Sequence, residues 1–266
     1  DVKLVLIGTK NAVNLYKKFM AWGVTDYLLM PLTIDMMDEI YKDKAQQENK
    51  INIGFLSSRI GCGATTFAIN YCLALNRHHN QKSILLDFDI NFGDLASKLD
   101  LMASPGLHGA LIDSDRMDLD YIKNLWQKKY DELFVITNQW FQKQNFSEIN
   151  FCDDKLNILI SLLQSEFNII GFDLSPPLNS HVNTFILSRL KELFVITDLS
   201  ISSVRDTIVM VNEFKLQFPN LIIHLIANQR QPIDELDMIL DTLSNSTELE
   251  VSMVLPFCKK EFLVPN

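Results

Sequence analysis

Apolar residues form two kinds of cluster along this chain, short continuous runs and longer stretches with helical spacing. The continuous runs predict buried strands, at residues 51–56, 83–87, 133–137, 168–173, 193–197, 221–227 and 249–255. Helical spacing predicts helices between most of them, at residues 64–76, 153–166, 181–190, 202–216 and 233–244. Because buried strands alternate with helices, the pattern predicts an α/β fold with a mostly parallel, doubly wound sheet.

The first 45 residues repeat this alternation on a smaller scale. Strands are predicted at 3–8 and 27–31, and helices at 11–22 and 34–44. The stretch KDKAQQENK at 42–50 has no apolar anchor, which favours a connecting segment. We therefore predict a small amino-terminal piece at 1–45, a linker at 46–50 and a main domain at 51–266.

Composition places the chain among ordinary globular proteins. Of its 266 residues 47% are hydrophobic and 21% charged, which excludes disordered and collagen-like classes. The net charge of −9 opposes a surface built for DNA phosphates, so we expect no nucleic-acid partner. The cysteines are scattered without a CxxC pair, which predicts reduced thiols in a cytoplasmic protein. We expect no signal peptide, since the sequence does not open with a charged-then-apolar leader, and no integral membrane segment, since no apolar run reaches about 18 residues.

The segment GFLSSRIGCGATTFAIN at 54–70 carries the strongest chemical signal. A buried strand leads through a glycine-containing turn into a helix that opens with two threonines. Glycines let main-chain amides surround phosphate oxygens, and the helix amino terminus adds partial positive charge. A hydroxyl at the helix start can bind Mg²⁺. We therefore predict that phosphate is bound by Gly61, Cys62, Gly63, Ala64, Thr65 and Thr66.

This loop lacks one expected side chain. A Walker A loop has a Lys directly before its Ser or Thr, whereas in this chain Ala64 precedes Thr65. A hydrogen bond to a charged group is worth roughly 1.5–3 kcal/mol, so its loss weakens binding by about 10–100-fold. Removing one transition-state donor costs about 10²–10³ in rate. We expect nucleotide binding to survive better than hydrolysis; the alternative is a glycine-rich turn that binds nothing.

Acidic and amide side chains follow three of the predicted strands. Asp87 and Asp89 end the second main-domain strand, and Asp173 ends the strand at 168–173. The carboxyl ends of parallel strands face the ligand crevice, where carboxylates can hold Mg²⁺ and orient water. Asn228 follows the strand at 221–227, and its amide suits the edge of a base. A capped strand end, or a turn Asn, is the alternative interpretation.

Taken in order, these motifs resemble the MinD/ParA family of P-loop ATPases, which carries a deviant Walker A loop. The G-x-G-A-T-T form of the loop and the G-D pair at 93–94 are similar to its TadZ/CpaE-like branch. The resemblance implies the MinD-like P-loop (SIMIBI) fold, and it implies ATP or ADP and Mg²⁺ as cofactors.

The resemblance also implies roles for individual residues. Arg59 falls on the signature cation that reaches across a dimer to the partner's nucleotide, and Asp89 on the residue that positions the attacking water. The Mg²⁺ site would include Thr65, Asp87 and Asp173. Asn228 would contact adenine, and Pro256 of VLPF would lie in the loop over the base.

The amino-terminal segment GVTDYLLMP at 23–31 resembles the end of a response-regulator receiver domain. In that family a Lys precedes the Pro, whereas this chain has Met30 there. The piece is therefore expected to be the carboxyl-terminal portion of an atypical receiver-like domain. TadZ/CpaE-like proteins pair such a domain with the ATPase domain.

The function implied is that of a slow ATPase that dimerises with nucleotide and positions assembly of a Tad (Flp) pilus secretion system. The expected location is the cytoplasm at a bacterial cell pole, and the expected partners are a second copy of the chain and other Tad/Flp components. Two alternatives stay open. Ala64 and Ile60 favour a non-catalytic scaffold with a decayed site. A ParA-like partition ATPase is opposed by the acidic charge.

Overall fold

The computed structural model describes residues 5–8, 13–22, 24, 26–30, 50–79, 81–89, 93–102, 106–112, 117–130, 132–137, 153–176 and 181–257. The chain divides into two compact units, Asp1–Asn49 and Lys50–Asn266. All of the predicted site residues belong to the second unit.

The first unit contains a small parallel ribbon. Strand β1 (Val5–Gly8) and strand β2 (Asp26–Leu29) pair in parallel, with Val5 opposite Asp26, and helix α1 (Val13–Ala21) connects them. These elements match the predicted strand, helix and strand. The predicted helix at 34–44 and the linker residues 46–49 lie outside the described residues, and the receiver-like character of this unit stays a prediction.

The second unit is built on one eight-stranded sheet. Its order along the sheet is β10, β9, β8, β3, β7, β4, β6, β5, and every neighbouring pair is parallel except β5 with β6. The strands are β3 (Ile51–Ser57), β4 (Ser83–Asp87), β5 (Gln127–Tyr130), β6 (Leu133–Ile136), β7 (Ile169–Leu174), β8 (Glu192–Thr197), β9 (Ile222–Asn228) and β10 (Val251–Leu255).

Helices connect these strands. They are α2 (Ala64–His79), α3 (Leu95–Lys98), α4 (Gly106–Ile112), α5 (Leu119–Lys123), α6 (Asp153–Glu166), α7 (His181–Leu187), α8 (Ile201–Gln217) and α9 (Leu236–Thr247). The long helices and all seven predicted main-domain strands lie within a few residues of the predicted bounds. The helical spacing and the apolar runs were therefore sufficient to locate the main elements.

Two hydrophobic cores lie on opposite faces of this sheet. Within β3, Phe55 belongs to one core and Leu56 to the other, because successive side chains of a strand point to opposite faces. Helix α2 packs into the core that contains Phe55, whereas α6 and α7 pack into the core that contains Leu56. The prediction of a mostly parallel α/β sheet covered on both faces is confirmed.

One strand was not predicted. The edge strand β5 has the sequence QKKY and pairs antiparallel with β6. It carries no apolar run because an edge strand of this kind is only partly buried, so the pattern that marks central strands is absent. Among the described helices, none is long and apolar enough to cross a membrane.

The parallel arrangement decides where the site lies. Asp87 at the end of β4 is opposite Asp173 near the end of β7, and Leu56 of β3 is opposite Leu174 of β7. The carboxyl ends of β3, β4 and β7 therefore share one edge of the sheet, where an open α/β sheet forms its ligand crevice.

Candidate functional site

The glycine-containing turn after β3 has the backbone that its sequence predicts. Gly61 has φ +91° and Gly63 has φ +103°, in the left-handed region that side chains disfavour. A Cβ atom at Gly63 would also lie 2.7 Å from Nδ2 of Asn228. Gly63 is therefore required both for its backbone angle and for the close approach of Asn228.

The turn is held in place by hydrogen bonds from two directions. Oγ of Ser57 accepts a 3.3 Å bond from the backbone N–H of Ala64, which joins the end of β3 to the start of α2. Nδ2 of Asn228 donates a 2.8 Å bond to the carbonyl oxygen of Cys62, which joins the end of β9 to the middle of the turn. These bonds connect the loop to the ends of β3 and β9.

Helix α8 adds a third point of attachment. Oγ of Ser58 lies 2.8 Å from Oγ of Ser203, and Sγ of Cys62 lies 3.2 Å from the same hydroxyl. All three side chains are buried. Cys62 therefore holds the loop through its buried side chain, and its contact with phosphate stays a prediction.

A cavity of about 250 Å³ lies beside the turn. The ends of β3 and β7, the start of α2 and the segment that contains α3 all contribute to its wall. Its lining residues are Ser57, Ile60, Gly61, Gly63, Ala64, Thr65, Thr66, Asp89, Asp94, Lys98, Asp173, Leu174, Ser175 and Pro176.

A hydroxyl and a carboxylate meet in this cavity. Asp173 is only 3% exposed, and it lines the cavity together with Thr65. Burial raises the pKa of Asp173 to about 7, the side chain of Thr65 opposes that rise, and the Asp89 carboxylate adds to it. A carboxylate that is costly to ionise beside a hydroxyl is suited to a hard divalent cation, whose charge would offset the cost.

The neighbouring Asp87 is in a different environment. It is fully buried, its Oδ1 accepts a 3.2 Å bond from the backbone N–H of Asp89, and within the described residues its Oδ2 has no hydrogen-bond partner. Burial and the Asp173 carboxylate raise the pKa of Asp87 to about 8. Asp87 adjoins Asp173 on the next strand without lining the cavity, so its assignment as a metal ligand stays a prediction.

Asp89, the residue predicted to orient water, is half-buried and lines the cavity. Asp89 therefore lines the same cavity as the glycine turn, Thr65 and Asp173, as the order of motifs along the chain led us to expect. Its carboxylate also lies close enough to Asp87 and Asp173 to raise the pKa of both.

Arg59 lies apart from this group. Its side chain is 47% exposed, and its Nη1 makes a 2.9 Å ion pair with Oδ2 of Asp206 on α8. Arg205 pairs with the other oxygen of the same carboxylate. Arg59 does not line the cavity of its own chain.

Asn228 and Pro256 also lie outside the cavity lining. Asn228 ends β9, and Pro256 is exposed directly after β10; the backbone N–H of Gln229 donates a 3.0 Å bond to the carbonyl of Leu255. A second cavity, of about 840 Å³, lies at the ends of β8 and β9 and is lined in part by Asp198, Ser200, Arg230, Pro232 and Ile239. The roles of Asn228 and Pro256 toward a base stay predictions.

Seven lining residues were not assigned to the site from the sequence, namely Ser57, Ile60, Asp94, Lys98, Leu174, Ser175 and Pro176. Ser57 ends a strand, Asp94 was noted without a role, and Lys98 follows Asp94 by four residues. That i to i+4 spacing of opposite charges was a usable signal, because it places both side chains on one side of a helical turn.

The residues of the cavity fit a magnesium nucleotide. Mg²⁺ prefers oxygen ligands and is ordinarily held by one or two carboxylates with the phosphates of its substrate. The Thr65 hydroxyl and the Asp173 carboxylate are oxygen ligands of this kind, and the turn presents its backbone beside them. Among the residues that the structure describes, no three His, Cys, Asp or Glu side chains are grouped to hold a metal ion.

The chain is similar in structure to several solved ATPases. A ParA-family ATPase from Chlorobium tepidum is 24% identical with a TM-score of 0.67, over 79% of this chain and 85% of that one. The septum site-determining protein MinD of Pyrococcus horikoshii, complexed with Mg-ADP, is 20% identical with a TM-score of 0.61, over 78% and 81%. A Cyanothece McdA variant complexed with ATP is 14% identical with a TM-score of 0.62, over 77% and 83%.

These similarities show the fold: the predicted MinD-like P-loop fold is confirmed for the second unit. The sequence matches no protein-family model, and it has no significant match among curated proteins.

Proposed function

We propose that this chain binds ATP together with Mg²⁺ and uses it as a nucleotide-dependent dimerising ATPase of the MinD/ParA kind. The observation that carries this proposal is the meeting of the Thr65 hydroxyl with the buried Asp173 carboxylate in a cavity walled by the glycine turn. The fold shared with solved ATPases supports it.

The residues divide the task of binding. Backbone amides of the turn and the start of α2 bind phosphate oxygens, since Gly61 and Gly63 hold the turn open toward the cavity. Thr65 and Asp173 hold the metal ion, which when bound neutralises phosphate charge.

Asp89 and Arg59 would complete the catalytic arrangement. Asp89 lines the cavity and can accept a proton or hydrogen bond from a water molecule there. Arg59 is exposed on the surface rather than directed into its own cavity, which supports a role toward a second copy of the chain. An exposed ion pair such as Arg59 with Asp206 is weak enough to be exchanged for a partner.

Within this kind of protein we propose the TadZ/CpaE-like branch, acting at a bacterial cell pole on assembly of a Tad (Flp) pilus secretion system. The supports are the G-x-G-A-T-T loop, the G-D pair at 93–94 and the receiver-like sequence before the linker. Labelling the protein in cells with an intact or a deleted Tad gene cluster tests this role. A polar focus that precedes the pilus components supports it, and diffuse fluorescence in intact cells contradicts it.

A non-catalytic scaffold is the second candidate, because Ala64 stands where a lysine would reach the phosphates. Single-turnover hydrolysis separates the two. The ATPase proposal predicts slow release of phosphate by the wild type that Asp89→Ala reduces by at least tenfold. Equal, background rates for both proteins favour the scaffold.

A partition ATPase of the ParA kind predicts a shift of DNA that weakens with salt. The net charge of −9 leads us to expect no such shift at physiological salt.

The metal role is tested by ATP affinity with and without Mg²⁺. We expect Mg²⁺ to strengthen ATP binding to the wild type at least tenfold, and Asp173→Asn to lose most of that gain because the amide cannot supply a charged ligand. Asp241→Asn, an exposed position on α9, is the matched control and should behave as wild type. Equal Mg²⁺ dependence in all three proteins contradicts the assignment.

A further inference from the structure

One cationic side chain lines the cavity, although the loop lacks the usual Walker A lysine. Lys98, the last residue of α3, lines the same cavity as Thr65 and Asp173. Within the set of lining residues that the structure describes, Lys98 is the one cationic side chain, against the carboxylates of Asp89, Asp94 and Asp173.

Lys98 is held at the cavity by an acidic neighbour. Its Nζ pairs with Oδ2 of Asp94, four residues earlier, and both side chains keep contact with solvent. Lys98 and Asp173, whose carboxylate we assign to the metal ion, line the same cavity.

A triphosphate entering this cavity would be stabilised by that cation. Without Lys98, the lining would present carboxylates to a polyanion, and the backbone amides would have to offset the repulsion of like charges. Lysine carries its charge on a flexible four-carbon stem with three donors, so it can change partner without movement of the backbone.

We propose that Lys98 binds the terminal phosphates of ATP in place of the lysine missing at position 64, and that Asp94 holds its ammonium group until the nucleotide enters. This inference rests on the proposed function, since it assigns a residue to the same site. The cation is thus supplied by α3, from a different segment of the chain, while the loop keeps only its backbone and hydroxyl contributions.

The competing interpretation is that Lys98 only stabilises the short helix α3 through its ion pair with Asp94. The chain offers a comparison for an ion pair outside the cavity: Lys128 on β5 pairs with Glu132 at the same i to i+4 sequence spacing, and neither lines the cavity. A role in ligand binding separates Lys98 from Lys128, whereas a role limited to the surface makes them equivalent.

Titration calorimetry in the presence of Mg²⁺ tests this by measuring the dissociation constants of ATP, ADP and AMP. The proteins compared are wild type, Lys98→Ala, Lys98→Arg and Lys128→Ala. We expect Lys98→Ala to weaken ATP by about 10–100-fold, the loss of one hydrogen bond to a charged group. AMP should lose little, Lys98→Arg should keep most of the ATP affinity, and Lys128→Ala should match wild type.

A rescue experiment sharpens the result. Adding Ala64→Lys to Lys98→Ala returns a cation to the loop and should recover most of the lost ATP affinity, with thermal unfolding of the free proteins checking that each folds. Unchanged ATP affinity in Lys98→Ala, or an equal loss for ATP and AMP, would overturn the inference. Failure of the wild type to bind ATP at all would instead refute the proposed function, so the two failures are distinct.

Discussion

The side-chain amide of Asn228 donates a 2.8 Å hydrogen bond to the carbonyl oxygen of Cys62. This bond joins the end of β9 to the middle of the glycine turn, although the two residues are 166 positions apart in the sequence. It gives Asn228 a role that its sequence position did not indicate: the amide that was expected to contact a base supports the loop expected to bind phosphate.

Replacing that amide tests which role dominates. We expect Asn228→Ala to weaken binding of ATP and GTP by similar factors, about tenfold, because a loop that loses a partly buried hydrogen bond is less well ordered for any triphosphate. Parallel titrations with the two nucleotides check this. A loss confined to ATP would instead assign Asn228 to recognition of adenine.

The two glycines of the turn should differ in their tolerance of a side chain. Both have positive φ, so either substitution by Ala strains the backbone, but only at Gly63 would the new Cβ lie 2.7 Å from Asn228. At Gly61 the nearest atom to a new Cβ is Nη1 of Arg230, at 3.6 Å. We expect Gly63→Ala to abolish measurable ATP binding and Gly61→Ala to weaken it less; equal effects on the dissociation constant would contradict this account of the loop.

The buried carboxylate of Asp87 should make stability depend on pH. Because the pKa of Asp87 is raised from 3.8 to about 8 in the folded protein, the folded state binds more protons than the unfolded state between these values. The stability that this difference contributes is fully present below pH 4 and is lost as the pH rises through 8. Asp87→Asn removes this titration, so its free energy of unfolding should not fall in the same way. We expect the difference in free energy of unfolding, variant minus wild type, to be roughly 2–4 kcal/mol larger at pH 8 than at pH 5.

Urea denaturation at a series of pH values measures this difference. Asp241→Asn, at an exposed position, serves as the control for the substitution itself and should follow the wild type. Parallel curves for wild type and Asp87→Asn would mean that Asp87 is already ionised without cost.

The ion pair between Arg59 and Asp206 leads to opposite expectations for its two members. If Arg59 acts on a partner's nucleotide, Arg59→Ala should abolish ATP-dependent dimerisation, whereas Asp206→Ala releases the guanidinium and should strengthen it modestly. Sedimentation velocity with and without Mg-ATP checks both variants. Equal weakening by both would show that the ion pair, rather than a free Arg59, supports the dimer.

Much of the fold was predictable because central parallel strands are buried on both faces. The runs SILLD and LFVIT have no polar interruption, so their apolar pattern marks them as strands without any knowledge of their neighbours. The edge strand QKKY has no such pattern, since its position follows from pairing with β6. β6 follows β5 almost directly in the sequence, but β5 is only partly buried, so no apolar run marks it.

The site follows the same division. Gly61, Gly63, Thr65 and Asp173 were predicted because each is adjacent to a strand or helix end whose place in the crevice follows from parallel topology. Lys98 was not, because its position depends on the path of the segment after β4 rather than on a motif. The contact between Sγ of Cys62 and the hydroxyl of Ser203 likewise depends on how α8 packs against the loop.

The central claim is that backbone amides and a divalent ion hold a triphosphate at a loop without its lysine. Titration calorimetry of the unmodified chain with ATP at saturating Mg²⁺ measures it most directly. We predict one saturable ATP site per chain, at least tenfold weaker when Mg²⁺ is removed with a chelator. The absence of saturable heat with any purine triphosphate under these conditions would contradict the account.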